Sequence, residues 1–470
     1  MTIQKPVAAA DAPIAAQIAR ARAAMATLKG ASQARIDEAV TALAWAIYKP
    51  SSAHALAELA VADTGLGNVP DKVTKNTCKT FGALRDLLRA KTVGIIDEDP
   101  AKGLVKYAKP VGVVAVVCPL TNPAATPANK AMMALKGGNA VIIAPSPAGY
   151  ATSDRYVQLA QAELEKAGFD PDLIQTLVAP VDKAATQALM EMADLVVVTG
   201  LQNNVRRAYS SGTPAIGVGA GNVPVIIDET ADLDDAAAKI TASKIFDNAT
   251  SCSSENSVVL LDAVYDAAIA ALERAGGYLV GAEDRARVVG TLWQGGKLNR
   301  KVIARGMDEL AEVFALPDAA TSKFLMVEET GIGDAYPLSG EKLSLVLTFY
   351  RARDFEHARG LVHDILAHEG MGHSCGIHTK LPERPRRLAE SLDVVRVLVN
   401  QAHTFGNGGS FDNGLAFTLS MGCGTWAGNS ITENLNYRHF INITHLVTTI
   451  PEDKPSEGAL FGGYWERYGK

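Results

Sequence analysis

The stretch Val111-Gly112-Val113-Val114-Ala115-Val116-Val117-Cys118-Pro119-Leu120-Thr121-Asn122-Pro123 opens the pattern that decides the fold. Its first seven residues are apolar with no polar alternation, as expected of a strand buried on both faces. Comparable short runs follow at 140–144, 174–178, 195–199 and 214–217, separated by helical segments at 127–136, 151–167, 184–192 and 203–209. Such alternation predicts an α/β fold built on a doubly wound parallel sheet. Ligands of these sheets bind at the carboxyl ends of the strands, which places Cys118 to Pro123 at a binding edge.

Upstream, residues 12–66 are Ala-rich with helical periodicity. Three helices are expected there, the second ending near Lys49-Pro50, because proline disfavours a helical conformation in the residue before it. A further helix is predicted over 80–89, and the turn residues Glu98-Asp99-Pro100 sit inside a hairpin over 93–108. Downstream, a sixth strand at 223–227 leads to a helix over 234–246. A second α/β series follows, with helices over 264–275, 282–293 and 307–314 and strands over 324–327, 343–349, 374–378 and 394–399. The segment 440–447 alternates like an edge strand.

A chain of 470 residues exceeds what one core can bury, so two or three domains are expected. The net charge of −6, with no long Lys/Arg block, argues against a nucleic-acid partner. The longest apolar run, 111–120, is too short to span a bilayer. Met1-Thr2-Ile3-Gln4-Lys5-Pro6 lacks the features of a secretory signal. Five cysteines (Cys78, Cys118, Cys252, Cys375 and Cys423) are scattered and odd in number, which fits reduced thiols in a cytoplasmic protein.

Cys252 stands in Thr250-Ser251-Cys252-Ser253-Ser254-Glu255, a small polar segment between a helix and an apolar strand. Structural thiols favour apolar neighbours; this setting suits a nucleophile supported by backbone N–H groups, and the alternative is an incidental loop cysteine. Asn122 offers an amide NH₂ that could join the Cys252 N–H in an oxyanion hole, or it is simply a turn asparagine. Gly217-Val218-Gly219-Ala220-Gly221 is GxGxG followed by a strand, so the strand–turn–helix context of a dinucleotide fingerprint is absent. Its glycines are expected to allow close backbone approach. Leu195-Val196-Val197-Val198-Thr199-Gly200, leading into a helix, is the better anion-binding candidate. His363, His368, His373 and His378 recur every five residues, a rotation of roughly 140° on a helix, so they share no face and no metal site is expected. His373, in Gly370-Met371-Gly372-His373-Ser374, is read as a loop histidine and a candidate base.

Taken together, Ala208-Tyr209-Ser210-Ser211-Gly212, Pro214 to Asn222, the Cys252 segment, Glu341-Lys342-Leu343-Ser344, Gly372-His373-Ser374 and Gly422-Cys423-Gly424-Thr425-Trp426-Ala427-Gly428-Asn429-Ser430 resemble the aldehyde dehydrogenase superfamily, and more closely its CoA-acylating branch. The resemblance implies a doubly wound cofactor domain (1–231, with the hairpin 93–108 in an oligomerisation element). A catalytic domain (232–430) and a return segment with an oligomerisation strand (431–470) complete the expected fold, as a homodimer or homotetramer. It implies Cys252 as nucleophile and Asn122 as side-chain oxyanion donor, with His373 assisting deprotonation of CoA. Cofactor contacts are implied at Pro119, Leu120, Thr121, Ser146, Gly219 and Glu341, with Thr199 and Gly200 at the pyrophosphate turn. Hydrolytic members activate water with a glutamate, and Val218 falls at that position; Glu255 is the substitute base considered. Pro147 stands where NAD-selective members carry a carboxylate, and Arg206 and Arg207 follow, so NADP is favoured over NAD; the arginines could instead be solvated or meet CoA phosphates. Overall similarity is to acylating sulfoacetaldehyde dehydrogenases, with acetaldehyde, propanal or succinic semialdehyde as alternative substrates and a hydrolytic enzyme as the alternative chemistry. Ser251, Ser253, His403 and the Phe405-Gly406-Asn407-Gly408 loop would suit a small anionic aldehyde.

Overall fold

Val113–Val117 forms the centre of a five-stranded, wholly parallel sheet, ordered Ile174–Thr176, Ala140–Ala144, Val113–Val117, Leu195–Val198 and Ala215–Ile216. The computed structural model describes residues 11–470; Met1 to Pro6, read above as lacking a secretory signal, lies outside the described residues. Every residue of the three central strands is buried, which is why they read as unbroken apolar runs. Strand order reverses beside Val113–Val117: its neighbours Ala140–Ala144 and Leu195–Val198 lead outward in opposite directions. That reversal opens the crevice where doubly wound sheets hold ligands.

Helices close both faces. Gln33–Tyr48 buries Ile36, Val40, Leu43 and Ile47, a stripe at helical spacing, against Ala125–Lys136 and Tyr150–Lys166. Each such side chain contributes roughly 1.5–3 kcal/mol by leaving water. Ser32 caps its start by accepting from the Arg35 N–H at 3.2 Å. Pro50 opens the next helix, Pro50–Thr64, at the one position where its missing N–H costs nothing. The helix predicted over 80–89 is the end of a longer one, from Val69–Thr74 through Thr80–Leu88, interrupted by a π-helical turn at Lys75–Lys79.

The second sheet has seven parallel strands, ordered Gly277–Leu279, Phe324–Glu328, Val346–Ala352, Glu255–Leu261, Val223–Ile227, Gly372–His378 and Val394–Val399. Alternate residues of its central strands feed two apolar clusters, with Val225, Ile227, Val258 and Leu260 on one face and Ile226, Val259 and Leu261 on the other. Val223–Ile227 therefore belongs to this sheet, although the sequence reading had placed residues up to 231 in the first unit. Its composition resembles the earlier strands, and only pairing assigns it. His373 corrects another expectation: it lies on the buried strand Gly372–His378 rather than in a loop. The strand predicted over 343–349 starts at Val346, because Leu343 takes φ 45° in the preceding turn.

The hairpin Gly94–Asp99/Leu104–Pro110 is joined by Ile441–Val447 in a three-stranded antiparallel sheet. A C-terminal helix, Glu457–Tyr468, was not anticipated; it exposes Leu460, Phe461, Tyr464 and Tyr468. Among the described residues no helix is long and apolar enough to cross a membrane.

Candidate active site

Helix Leu233–Ile245 ends in three consecutive left-handed residues, Asp247, Asn248 and Ala249, at φ 49°, 53° and 60°. None is glycine, so the segment holds strain of order 1 kcal/mol or more per residue, tolerated because surrounding contacts over-determine it. The run turns the chain so that Cys252 sits in a tight turn closed by Ser254 N–H donating to Ser251 O at 3.0 Å, immediately before strand Glu255–Leu261.

The thiol is set deeper than the sequence setting suggested. A Cβ on Gly221 would lie 2.6 Å from Cys252 Cβ and 2.2 Å from its carbonyl oxygen, so the GxGxG loop covers the Cys252 turn directly. Only glycine allows that approach. Burial, then the nearby Glu341 carboxylate and Cys423, push the Cys252 thiol up to about 12. Gly219 likewise packs against a neighbour, since its Cβ would meet Cys423 Sγ at 2.9 Å.

Asn122 follows strand Val113–Val117 by a short loop, as expected. Its Oδ1 accepts from Lys75 Nζ at 3.2 Å, whereas Nδ2 makes only a marginal 3.5 Å contact with Thr121 Oγ1. The same ammonium donates to Thr250 Oγ1 at 2.8 Å, two residues before Cys252. One buried lysine thus brings the Asn122 loop and the Cys252 turn together.

Pro119, Leu120, Thr121, Ser146, Thr199 and Gly200 lie beyond the carboxyl ends of three adjacent strands. Thr199 N–H donates to Val117 O at 3.0 Å, and a Cβ on Gly200 would lie 3.5 Å from Pro119 Cα. Thr199 Oγ1 shares a 2.6 Å hydrogen bond with Ser420 Oγ. Helix Gln202–Tyr209 follows that turn. Arg207 is held by Gln187 Oε1 at 3.1 Å and the Lys183 carbonyl, so it braces a neighbouring helix, while Arg206 reaches only Asn203.

Glu341 approaches Cys252 from the second sheet's loops. Burial and then Glu369 raise its carboxyl to about 8, and Oε1 is buried without a hydrogen-bond partner. A buried unsatisfied carboxylate oxygen is costly and fits a site completed by ligand hydroxyls. The crevice beyond strand Val113–Val117 and this orphan oxygen together fit a dinucleotide cofactor.

His373 is buried and neutral: desolvation, Arg396 and His403 hold its pKa well below the ordinary imidazole range. Its Nδ1 bonds Ser374 Oγ at 2.8 Å, which in turn meets His403 Nε2 at 2.9 Å, and Nε2 of His373 has no partner. Ser253 and His403, suggested above for an anionic aldehyde, are both 1% exposed; Ser253 bonds Asn407, and burial lowers His403 to about 3. Glu255 also faces inward, its Oε1 accepting the His403 N–H at 3.0 Å while its Oε2 has no partner.

Sequence reasoning missed Lys72, Lys75 and Asp247. Their only signal is the spacing of Lys72, Lys75 and Lys79 along one helical face. Among the described residues no group of three His, Cys, Asp or Glu is placed to hold a metal ion.

Comparison with known proteins agrees with this geometry. The acylating sulfoacetaldehyde dehydrogenase of Cupriavidus necator is 52% identical over 100% of this chain and 96% of its own. Its counterpart in Bilophila wadsworthia is 42% identical over 97% and 99%. The crystal structure of an acetylating aldehyde dehydrogenase from Geobacillus thermoglucosidasius superposes with a TM-score of 0.90 at 34% identity, covering 94% of this chain and 98% of that one. The model of the aldehyde dehydrogenase family matches residues 2–412, and with relatives 52% and 42% identical over nearly the whole chain, the chain belongs to that family.

Proposed function

We propose that the protein oxidises a small aldehyde to its acyl-CoA thioester, with sulfoacetaldehyde as substrate and NADP ahead of NAD as cofactor. The juxtaposition of the Cys252 turn with an Asn122 amide whose donor end is free carries this reading. Cys252, having released its thiol proton to solvent, attacks the carbonyl carbon as the thiolate, and Asn122 Nδ2 with the Cys252 N–H stabilises the developing oxyanion, a contribution of roughly 10²–10³-fold per donor. A nicotinamide held in the cofactor crevice would supply the hydride acceptor, so that an acyl group is left on the sulfur. Glu341 holds ribose hydroxyls, and Pro119 to Thr121, Ser146, Thr199 and Gly200 line the cofactor crevice.

Val218 is apolar and 8% exposed, and without a carboxylate there, water attack on the thioester loses a general-base contribution of roughly 10²–10⁴-fold. CoA then takes the acyl group as its thiolate, the unpartnered Nε2 of His373 helping by accepting a hydrogen bond from the incoming thiol. The absence of a carboxylate at Pro147, beside Ser146, leaves room for a 2′-phosphate and supports NADP. The 52% identity to the Cupriavidus necator protein supports sulfoacetaldehyde. Five free cysteines suit a reducing cytoplasm. Exposed Ile443, Leu446 and Val447 on the edge strand suit pairing with a second copy, as a dimer or tetramer.

Assays of sulfoacetaldehyde, acetaldehyde, propanal and succinic semialdehyde, each with NAD or NADP and with or without CoA, test the proposal. CoA-dependent turnover that is strongest on sulfoacetaldehyde and is abolished by Cys252→Ala is expected. Turnover independent of CoA would point to the hydrolytic enzyme, and activity surviving Cys252→Ala would remove the thiol from the mechanism.

A further inference from the structure

We propose that Lys75 is a positioning residue for the oxyanion hole: it orients the Asn122 carboxamide and fixes the distance between the Asn122 loop and the Cys252 turn. The inference rests on the assignment of Cys252 and Asn122 above and adds a residue that neither assignment requires. An ammonium has three donors and no acceptor. Lys75 spends all three on Asp247 Oδ2, Thr250 Oγ1 at 2.8 Å and Asn122 Oδ1 at 3.2 Å. Because lysine can only donate, the atom facing it is the amide oxygen, and the NH₂ end of Asn122 is turned the other way.

Two features show that the lysine is placed deliberately. Lys75 begins the π-helical turn Lys75–Lys79, a helix defect found mostly at functional sites. Asp247, its anchor, begins the left-handed run that leads into the Cys252 turn. The Asp247 carboxylate is itself gripped by Asn68 N–H at 2.9 Å, Lys72 Nζ at 3.0 Å and Thr250 Oγ1 at 2.8 Å. Lys72 also reaches Thr121 O at 3.3 Å, the residue before Asn122. The cluster is a buried bolt between the oxyanion loop of the first sheet and the nucleophile turn of the second.

A double-mutant cycle tests this, with kcat and KM for the aldehyde, the rate of Cys252 alkylation and the melting temperature measured throughout. Asn122→Ala is expected to lower kcat by roughly 10²–10³-fold. Lys75→Met should lower kcat by about 10–10²-fold while KM and the alkylation rate stay within about threefold, and in the Asn122→Ala background it should cost no more than about threefold further. Lys75→Arg keeps the Asp247 pair, so it should melt close to wild type and lose part of kcat. It replaces Lys75→Met in the cycle if that variant does not fold. Losses that multiply in the double variant, or a lysine variant with unchanged kcat, would overturn the proposal while leaving the reaction intact. A neutral Asn122→Ala would instead overturn the oxyanion assignment, and Lys75's role with it.

Discussion

Asp247 and Glu341 are both carboxylates enclosed near the Cys252 turn, yet the protein treats them oppositely. Burial works against the Asp247 charge, but the ammonium groups of Lys75 and Lys72 more than offset it and hold the carboxyl below its ordinary range. Burial also acts on Glu341, where Glu369 adds repulsion and Lys244 and Lys342 offset only part of it, so its carboxyl rises to about 8 and one oxygen has no partner. The saturated carboxylate joins two loops. The unsaturated one keeps a hydrogen-bonding oxygen unused, which fits the ligand role proposed for it. Partner count, rather than depth, separates the group that builds the site from the group that binds with it.

Removing Asp247 breaks this contrast most severely. Asp247→Asn leaves Lys72 and Lys75 buried without a counter-charge, and loss of one member of a buried ion pair costs about 3–5 kcal/mol. A large drop in melting temperature, together with loss of acyl-CoA formation, is expected in thermal denaturation and turnover assays. A variant that melts normally would mean that the cluster does not hold the loops. Glu341→Gln should behave the other way, with unliganded stability kept or raised. Cofactor KM should rise about ten- to a hundredfold, the equivalent of the ~1.5–3 kcal/mol typical of hydrogen bonds to charged groups. A fall in unliganded stability would show that Glu341 is a structural group after all.

The smallest effect is a pH dependence with opposite signs. Asp247 has a depressed folded-state pKa, so its contribution is present above the ordinary carboxylate value and is lost as pH falls through the depressed one. Glu341 is raised from 4.5 to about 8, so stability is complete below 4.5 and declines as pH rises through that interval. Between about pH 5 and 8 the stability of the unliganded protein, read from melting curves, should therefore fall relative to that of Glu341→Gln, by about 1–3 kcal/mol, or a few degrees, across the range. An unchanged difference would place the titration elsewhere.

The α/β architecture was legible because parallel strands buried on both faces leave unbroken apolar runs, and those at 140–144, 223–227 and 394–399 match the observed strands residue for residue. Cys252 and Asn122 were singled out from polar surroundings and from position at a strand's carboxyl end, and Lys75 links the segments that carry them. Lys75 was not, since lysine on a helix ordinarily marks the solvated face, and its anchor Asp247 lies 172 residues away. On this helix the buried stripe is cationic: Lys72 and Lys75 are each 4% exposed, whereas Phe81 is 52% exposed. His373 was misplaced for a related reason. Gly372-His373-Ser374-Cys375-Gly376 has weak strand propensity, and pairing with Val223–Ile227 and Val394–Val399 imposes the strand from outside.

The antiparallel sheet at the chain's far end bears on how the molecule is made. Strand Leu104–Pro110 finds its second neighbour only in Ile441–Val447, as in the contact between Asn442 and Pro110, 332 residues apart in sequence. At ribosomal speeds of about 5–20 residues per second, that edge waits roughly 15–65 s for its partner to be synthesised. The nascent protein thus carries an open β-edge through most of its translation, and the last strand to leave the ribosome is the one that closes it.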